Sequence, residues 1–249
     1  MSITTPPWNY PTFIAHRGAG KFAPENTLAA VRLGAQHGFK MMEYDVKLSR
    51  DGEAIFLHDD SIDRTSNGSG LASHYSLAEL MQFDFGSWLS KAFIAEPILT
   101  LHTMAAYSIA NGIHSNIEIK PETGFEAETG AKVARLAQEL WQNAPLPPLL
   151  SSFSEVALEA AKLAAPKLPR ALLIEKQLPD DYLARLQRLD CVALNLDNKL
   201  TTQAIIQQTL AAGYEVCIWT VNDPLRAREL IQWGCKGIVT DAIDIINPL

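Results

Sequence analysis

The sequence predicts an α/β protein with the (β/α)8 TIM-barrel architecture, and three observations carry that expectation. Strand-like and helix-like runs alternate from residue 12 to residue 242. Repeated βα units imply parallel strands, and eight such units fit a chain of 249 residues. Charged residues recur near the ends of the early strand-like runs, where barrels of this kind gather their chemistry.

The runs follow in order. "TFIAHRG" (12–18) leads into "NTLAAVRLGAQHG" (26–38), and "KMMEYDVKL" (40–48) comes next. "HSNIEIK" (114–120) precedes "EAETGAKVARLAQELW" (126–141), and "PPLLSSF" (147–153) precedes "SEVALEAAKLAAP" (154–166). "RALLIEK" (170–176) is followed by "DDYLARLQRL" (180–189), and "CVALNLD" (191–197) by "LTTQAIIQQTLAAG" (200–213). "YEVCIWTV" (214–221), "DPLRARELIQWG" (223–234) and "KGIVTDA" (236–242) close the series. Gly38, Gly213 and Gly234 stand where helices need a C-terminal stop. The competing fold, an open doubly wound sheet, lacks a GxGxxG turn after any strand.

The second unit is interrupted. "AIFLHDD" (54–60) reads as an extra strand joined to the previous one through the turn "SRDG". Residues 61–97 then become rich in Ser, Gly, Asp and Asn and read as an insertion over one end of the barrel. Residues 1–249 thus form one barrel domain carrying an insertion at approximately 61–97.

Bulk properties narrow the function. A formal net charge of -7 argues against a nucleic-acid partner, although a locally basic site for a phosphorylated substrate remains compatible with it. "MSITTPPWNYPTF" has neither a basic start nor an apolar core, so it is not a signal peptide. No apolar run of about 18 residues predicts a membrane span. Cys191, Cys217 and Cys235 form no CxxC pair and read as buried free thiols of a reducing compartment, with the cytoplasm as expected location. The oligomeric state is not legible.

In "MMEYDVKLS", Met41, Glu43 and Asp45 share one face of a strand while Met42, Tyr44, Val46 and Leu48 share the other. "NIEIKP" repeats the device: Ile117 and Ile119 alternate with Asn116, Glu118 and Lys120. The apolar faces are expected to pack on outer helices, and the charged faces to point into the barrel mouth. His16 and Arg17 end the first strand, and His58 ends the extra strand. Glu43, Asp45 and Glu118 cannot share a small pocket as bare anions, and a divalent cation resolves the repulsion. An all-oxygen ligand set favours Mg2+ or Ca2+ over zinc. Arg17 and Lys120 suit phosphate oxygens. Two histidines beside them suit proton transfer, so the set reads as phosphodiester cleavage. His58, on the extra strand, is placed to approach phosphorus from another side than His16, which makes His58 the acid for the departing alcohol and His16 the base. Within "PENT", Asn26 reads as a helix N-cap. His37, His74, His102 and His114 lack such company and read as surface or structural residues.

"HRGAGKFAPENT", "EYDVKLSRDGEAIFLHDD", "DRTSNG" and "NIEIKP", in that order and spacing, closely resemble the glycerophosphodiester phosphodiesterase family, from Ala15 to Asp241. The resemblance implies a (β/α)8 barrel with a small insertion after the second strand. It implies Glu43, Asp45 and Glu118 as metal ligands, His16 and His58 as the acid–base pair, and Arg17 and Lys120 as phosphate ligands. Trp219, at the end of the seventh barrel strand, resembles the family's aromatic that packs beside the glycerol; its other reading is a core tryptophan. The implied reaction converts glycerophosphodiesters to sn-glycerol 3-phosphate and an alcohol such as choline, ethanolamine or glycerol, through attack by the substrate's own glycerol hydroxyl. Two alternatives stand beside it. Phospholipase-type cleavage of lysophospholipid or other lipid-linked diesters would use Leu80, Met81, Phe83, Phe85, Trp88 and Leu89 as a membrane-facing surface. A phosphodiester-binding module without turnover would not need both histidines and all three carboxylates.

Overall fold

A computed structural model describes residues 8–246 and 248. The first seven residues, on which most of the signal-peptide reading rests, lie outside them. Nine strands form one sheet among the described residues: β1 (Phe13–Ala15), β2 (Met41–Leu48), β3 (Ala54–Phe56), β4 (His114–Ile119), β5 (Leu149–Ser152), β6 (Arg170–Ile174), β7 (Ala193–Asp197), β8 (Glu215–Trp219) and β9 (Gly237–Thr240). All but β3 run parallel, and the pairings of β1 with both β2 and β9 close them into an eight-stranded TIM barrel. β3 pairs antiparallel with the far end of β2, Val46 opposite Phe56. The helices are α1 (Leu28–Gln36), α2 (Leu77–Leu80), α3 (Leu101–Asn111), α4 (Glu126–Leu140), α5 (Glu155–Ala164), α6 (Tyr182–Arg188), α7 (Gln203–Ala211) and α8 (Pro224–Gln232).

The alternation along the strands sorts side chains as expected. Met42, Tyr44, Val46, Ile117 and Ile119 join the large core between strands and helices. Each such burial contributes roughly 1.5–3 kcal/mol. Ile14, Met41, Leu149, Ala171, Ala193, Cys217 and Val239 face inward and fill the barrel interior as a separate core. Glu43 and Asp45 continue the inward face of Met41, one and two alternations nearer the mouth. The site therefore stands on a plug of packed apolar side chains.

Helix ends follow local chemistry. Thr100, Ser154, Thr202 and Asp223 accept N-terminal backbone N–H groups of α3, α5, α7 and α8. Gly38, Gly213 and Gly234 hold left-handed backbone just after their helices. The cap of α1 corrects the sequence reading: Thr27, not Asn26, accepts the Ala30 N–H. Asn26 lies one residue earlier at φ 61, and its side chain turns into the barrel mouth instead.

Between β3 and α3 the chain is mostly irregular. It has its own apolar cluster of Ile55, Leu57, Ile62, Ala72, Leu80, Phe85 and Ile98, with Phe83 packed against it. Leu80, Phe83 and Phe85 thus turn inward, whereas Met81, Trp88 and Leu89 are exposed. All three cysteines are buried and free. No helix among the described residues is long and apolar enough to cross a membrane.

Candidate active site

The loop after β1 starts the site. His16 and Arg17 lie just beyond the last strand residue, Ala15. Arg17 holds φ 51, a left-handed conformation uncommon for a side-chain-bearing residue. Its own backbone N–H donates to Glu43 Oε2 at 3.1 Å, and its carbonyl accepts the Asn26 N–H at 3.0 Å. Gly20 explains part of "HRGAG": a Cβ there would lie 2.3 Å from the Asp241 backbone, so only glycine lets the loop approach β9's end.

The register of β2 and β4 brings the carboxylates together. Glu43 pairs with Asn116, and Asp45 pairs with Glu118. Glu43, Asp45 and Glu118 are buried, and one ligand oxygen from each lies within 4.8 Å of the others. Around them, Arg17 Nε stands 3.4 Å from Asp45 Oδ2, and Lys120 Nζ stands 3.4 Å from Asp45 Oδ1 and 2.9 Å from Glu118 Oε1. Asn26 Nδ2 donates to Asp45 Oδ2 at 2.9 Å, and Asp45 N–H donates to Asn26 Oδ1 at 3.1 Å.

Burial, then the Asp45 charge, pushes the Glu43 and Glu118 carboxyls well above the ordinary glutamate range. For Asp45 burial acts in the same upward sense, but the Arg17 and Lys120 charges overcome it and hold its carboxyl far below. Glu43 Oε1 is buried with no hydrogen-bond partner. A cluster of oxygens with an orphaned carboxylate atom and carboxyls that resist ionisation fits a bound divalent cation.

Both histidines have a carboxylate on Nδ1. His16 Nδ1 lies 2.6 Å from Asp241 Oδ1, and its Nε2 lies 3.7 Å from Glu43 Oε2. Asn222 holds Asp241 in turn, donating through Nδ2 to Oδ2 at 3.2 Å and accepting the Asp241 N–H at 2.8 Å. His58 Nδ1 lies 2.7 Å from Asp59 Oδ1. Burial disfavours the imidazolium of His16, yet the Asp241 bond and the Glu43 charge keep its pKa above the ordinary value. Burial lowers that of His58, with the Asp45 charge opposing.

Trp219 joins the same mouth. Its ring stands edge-on to Phe153, centroids 5.4 Å apart, and the Lys120 ammonium lies 5.5 Å from the Phe153 ring centroid. The Trp219 Nε1–H donates to the Asn195 carbonyl at 3.3 Å.

The glycerophosphoryl diester phosphodiesterase family model matches residues 16–245. The chain belongs to this family. A glycerophosphodiester phosphodiesterase of Caldanaerobacter subterraneus is 30% identical, over 92% of this chain and 93% of its own. One of Bacillus subtilis is 29% identical, over 95% of this chain and 85% of its own. An Oleispira antarctica phosphodiesterase, solved in complex with the product sn-glycerol-3-phosphate, superposes with a TM-score of 0.87 at 37% identity, covering 94% of both chains. The family member described here is a glycerophosphodiester phosphodiesterase, and its acidic triad is suited to hold a metal.

Glu43, Asp45, Glu118, Arg17, Lys120, His16, His58 and Trp219 all lie at one end of the barrel. Sequence reading missed Asp241, Asn222, Glu25, Asn26, Asp59, Arg64 and Phe153. Phe153 ends the run "PPLLSSF" and Asp241 is the next-to-last residue of "KGIVTDA", so the strand-end rule already applied to Glu118 would have found them. No spacing signal marks Glu25 or Arg64 as neighbours.

Proposed function

We propose that the enzyme hydrolyses glycerophosphodiesters to sn-glycerol 3-phosphate and an alcohol such as choline, ethanolamine or glycerol, using one divalent cation, Mg2+ or Ca2+, and His16 and His58 as its acid–base pair. The observation that carries this reading is the convergence of Glu43, Asp45 and Glu118 oxygens within 4.8 Å, flanked by Arg17 and Lys120. Likeness to the Oleispira enzyme solved with sn-glycerol-3-phosphate supports the product. Residues 1–249 act as one catalytic domain, with 61–97 as the insertion beside its mouth, and the cytoplasm is the working compartment.

Glu43, Asp45 and Glu118 would hold the cation, which when bound would supply positive charge for phosphoryl oxygens and offset the carboxylate charge that raises His16. Arg17 and Lys120 bind the remaining phosphate oxygens, and that anion acts on His58 in the raising sense. Asp241 fixes the His16 tautomer and leaves Nε2 to take a proton from the glycerol hydroxyl as it attacks phosphorus. Asp59 holds His58 in the same way, and His58 gives its proton to the departing alcohol oxygen as the P–O bond breaks. The cyclic phosphate then opens with roles reversed: His58 takes a proton from water as its oxygen attacks phosphorus, and His16 returns one to the glycerol oxygen as the ring P–O bond breaks. Trp219 and Phe153 pack against the glycerol.

The test is release of glycerol 3-phosphate from glycerophosphocholine, with chelator and after adding back Mg2+ or Ca2+. Release that stops with chelator and returns with metal supports the reading; full activity in chelator would sink it.

A further inference from the structure

We propose that Arg64 is a positioning residue whose single guanidinium sets both His58 and Arg17, through the carboxylates of Asp59 and Glu25. The role rests on the reading of His58 as the acid and Arg17 as a phosphate ligand. Arg64 grips Asp59 with Nε on Oδ2 at 2.6 Å and Nη2 on Oδ1 at 3.1 Å. It grips Glu25 with Nη1 on Oε2 at 2.7 Å and Nη2 on Oε1 at 2.8 Å. Each carboxylate shares an oxygen with a residue of the reaction. Asp59 Oδ1 meets His58 Nδ1 at 2.7 Å, and Glu25 Oε1 accepts from Arg17 Nη1 at 2.7 Å.

The chain His58–Asp59–Arg64–Glu25–Arg17 therefore joins two segments: the loop after β1 and the irregular segment after β3, which ends at Phe56 and so leaves His58 and Asp59 beyond the strand that the sequence reading carried to residue 60. A planar guanidinium offers two forks at a fixed angle, so it dictates how the two carboxylates stand relative to each other. A lysine offers one point charge and no such angle. The Arg17 guanidinium lies between Asp45, 3.4 Å from Nε, and Glu25, 2.7 Å from Nη1, so Glu25 is one of the two carboxylates that set where it points. With Nδ1 of His58 held, Nε2 is the nitrogen left to serve a leaving oxygen.

A staple for the insertion is the competing role, and it would change stability without distinguishing the two substrates of the test. The Arg64 side chain is 44% exposed, so water screens its ion pairs in part. The segment already has an apolar cluster of its own. Geometry, by contrast, is sensitive: a shift of about 1 Å in a reacting group lowers rates about 10²-fold.

The test compares the full-length wild type with Arg64→Met, Arg64→Lys, Asp59→Asn and Glu25→Gln under saturating Mg2+. The substrates are glycerophosphocholine and the glycerol phosphodiester of p-nitrophenol, whose leaving group departs without a proton. Arg64→Met is expected to lower kcat on glycerophosphocholine about 10²-fold, to spare most of kcat on the nitrophenyl ester, and to raise KM for both. Asp59→Asn is expected to reproduce only the kcat change and Glu25→Gln only the KM change, and Arg64→Lys not to restore either. In a His58→Ala background, Arg64→Met is expected to add no further loss of kcat. Wild-type kinetics for Arg64→Met, or a full additional kcat loss on top of His58→Ala, would overturn the proposal. If Arg64→Met fails to fold, the two carboxylate variants carry the same split, and a uniform loss in both returns Arg64 to a staple. Equal losses for His58→Ala on the two substrates would reject His58 as the acid, while the double variant still decides on Arg64.

Discussion

The two walls of the barrel mouth are built on the same alternation and carry opposite chemistry. On the wall made by β1, β2 and β4, the residues at the mouth are His16, Arg17, Glu43, Asp45, Glu118 and Lys120. On the wall made by β5 to β8, the inward face is mostly uncharged, with Leu149, Ser151, Ala171, Leu173, Ala193, Asn195, Cys217 and Trp219 and with Phe153 at the rim; its carboxylates are Glu215, at the start of β8, and Asp197, at the end of β7 beside Trp219. The outward faces of both walls join one core, as Ile117 and Ile119 on β4 and Leu194 and Leu196 on β7 show. Helix packing therefore left the inward residues free to differ. Under the proposed function, the charges concentrated on adjacent strands would hold a cation and a phosphate, and the mostly uncharged wall would take the carbon skeleton of the substrate.

The comparison breaks most completely if the charged wall loses a carboxylate. Glu43→Gln keeps the shape of the side chain and removes one anionic ligand, and it is expected to weaken metal binding and abolish most turnover at limiting Mg2+. Isothermal titration with the metal and a rate assay at several metal concentrations check it; unchanged affinity would remove Glu43 from the ligand set.

His58→Ala, in the segment after β3 beside the charged wall, sharpens the contrast between the two histidines. The expected loss on glycerophosphocholine is about 10²–10⁴-fold, with a far smaller loss on the p-nitrophenyl ester, whereas His16→Ala should harm both alike. Rates for both variants on both substrates decide the roles, and a selective loss for His16→Ala would exchange them.

Lys120→Met comes next. A charge-assisted hydrogen bond contributes about 1.5–3 kcal/mol, which corresponds to about 10–100-fold in kcat/KM. Near wild-type kinetics would reduce Lys120 to an ion-pair partner of Glu118. The mostly uncharged wall should respond more mildly: Trp219→Ala is expected to raise KM about two- to tenfold with kcat little changed, because it removes packing that substrate and transition state share.

The smallest effect is on stability. Burial, helped by Asp45, raises the Glu43 carboxyl to about 7 and the Glu118 carboxyl to about 8 in the cation-free protein. The folded chain then holds protons that the unfolded chain has released. Stability from this source is full below the ordinary glutamate range and falls as pH rises toward the folded values. In chelator, the melting temperature should fall between about pH 5 and about pH 8, and saturating Mg2+ or Ca2+ should remove that slope. A flat profile in chelator would show that the two carboxyls ionise normally.

The barrel and the core of its site were legible in the sequence because both depend on local periodicity. Alternation within "MMEYDVKLS" and "NIEIKP" assigns faces without knowledge of any partner strand, and Glu43, Asp45, Glu118 and Lys120 follow from it. Ends of runs likewise placed His16, Arg17, His58 and Trp219. What only the tertiary structure decided is who meets whom. Asp241 reaches His16 from 225 residues away because β9 closes on β1. Arg64 reaches Glu25 across 39 residues because the insertion folds back over the loop after β1. Asn26, a cap by local rules, gives that place to Thr27 because its left-handed backbone turns the amide toward Asp45. Periodicity is a property of one segment, whereas a hydrogen bond between segments exists only after the ring has closed and set the angle between them.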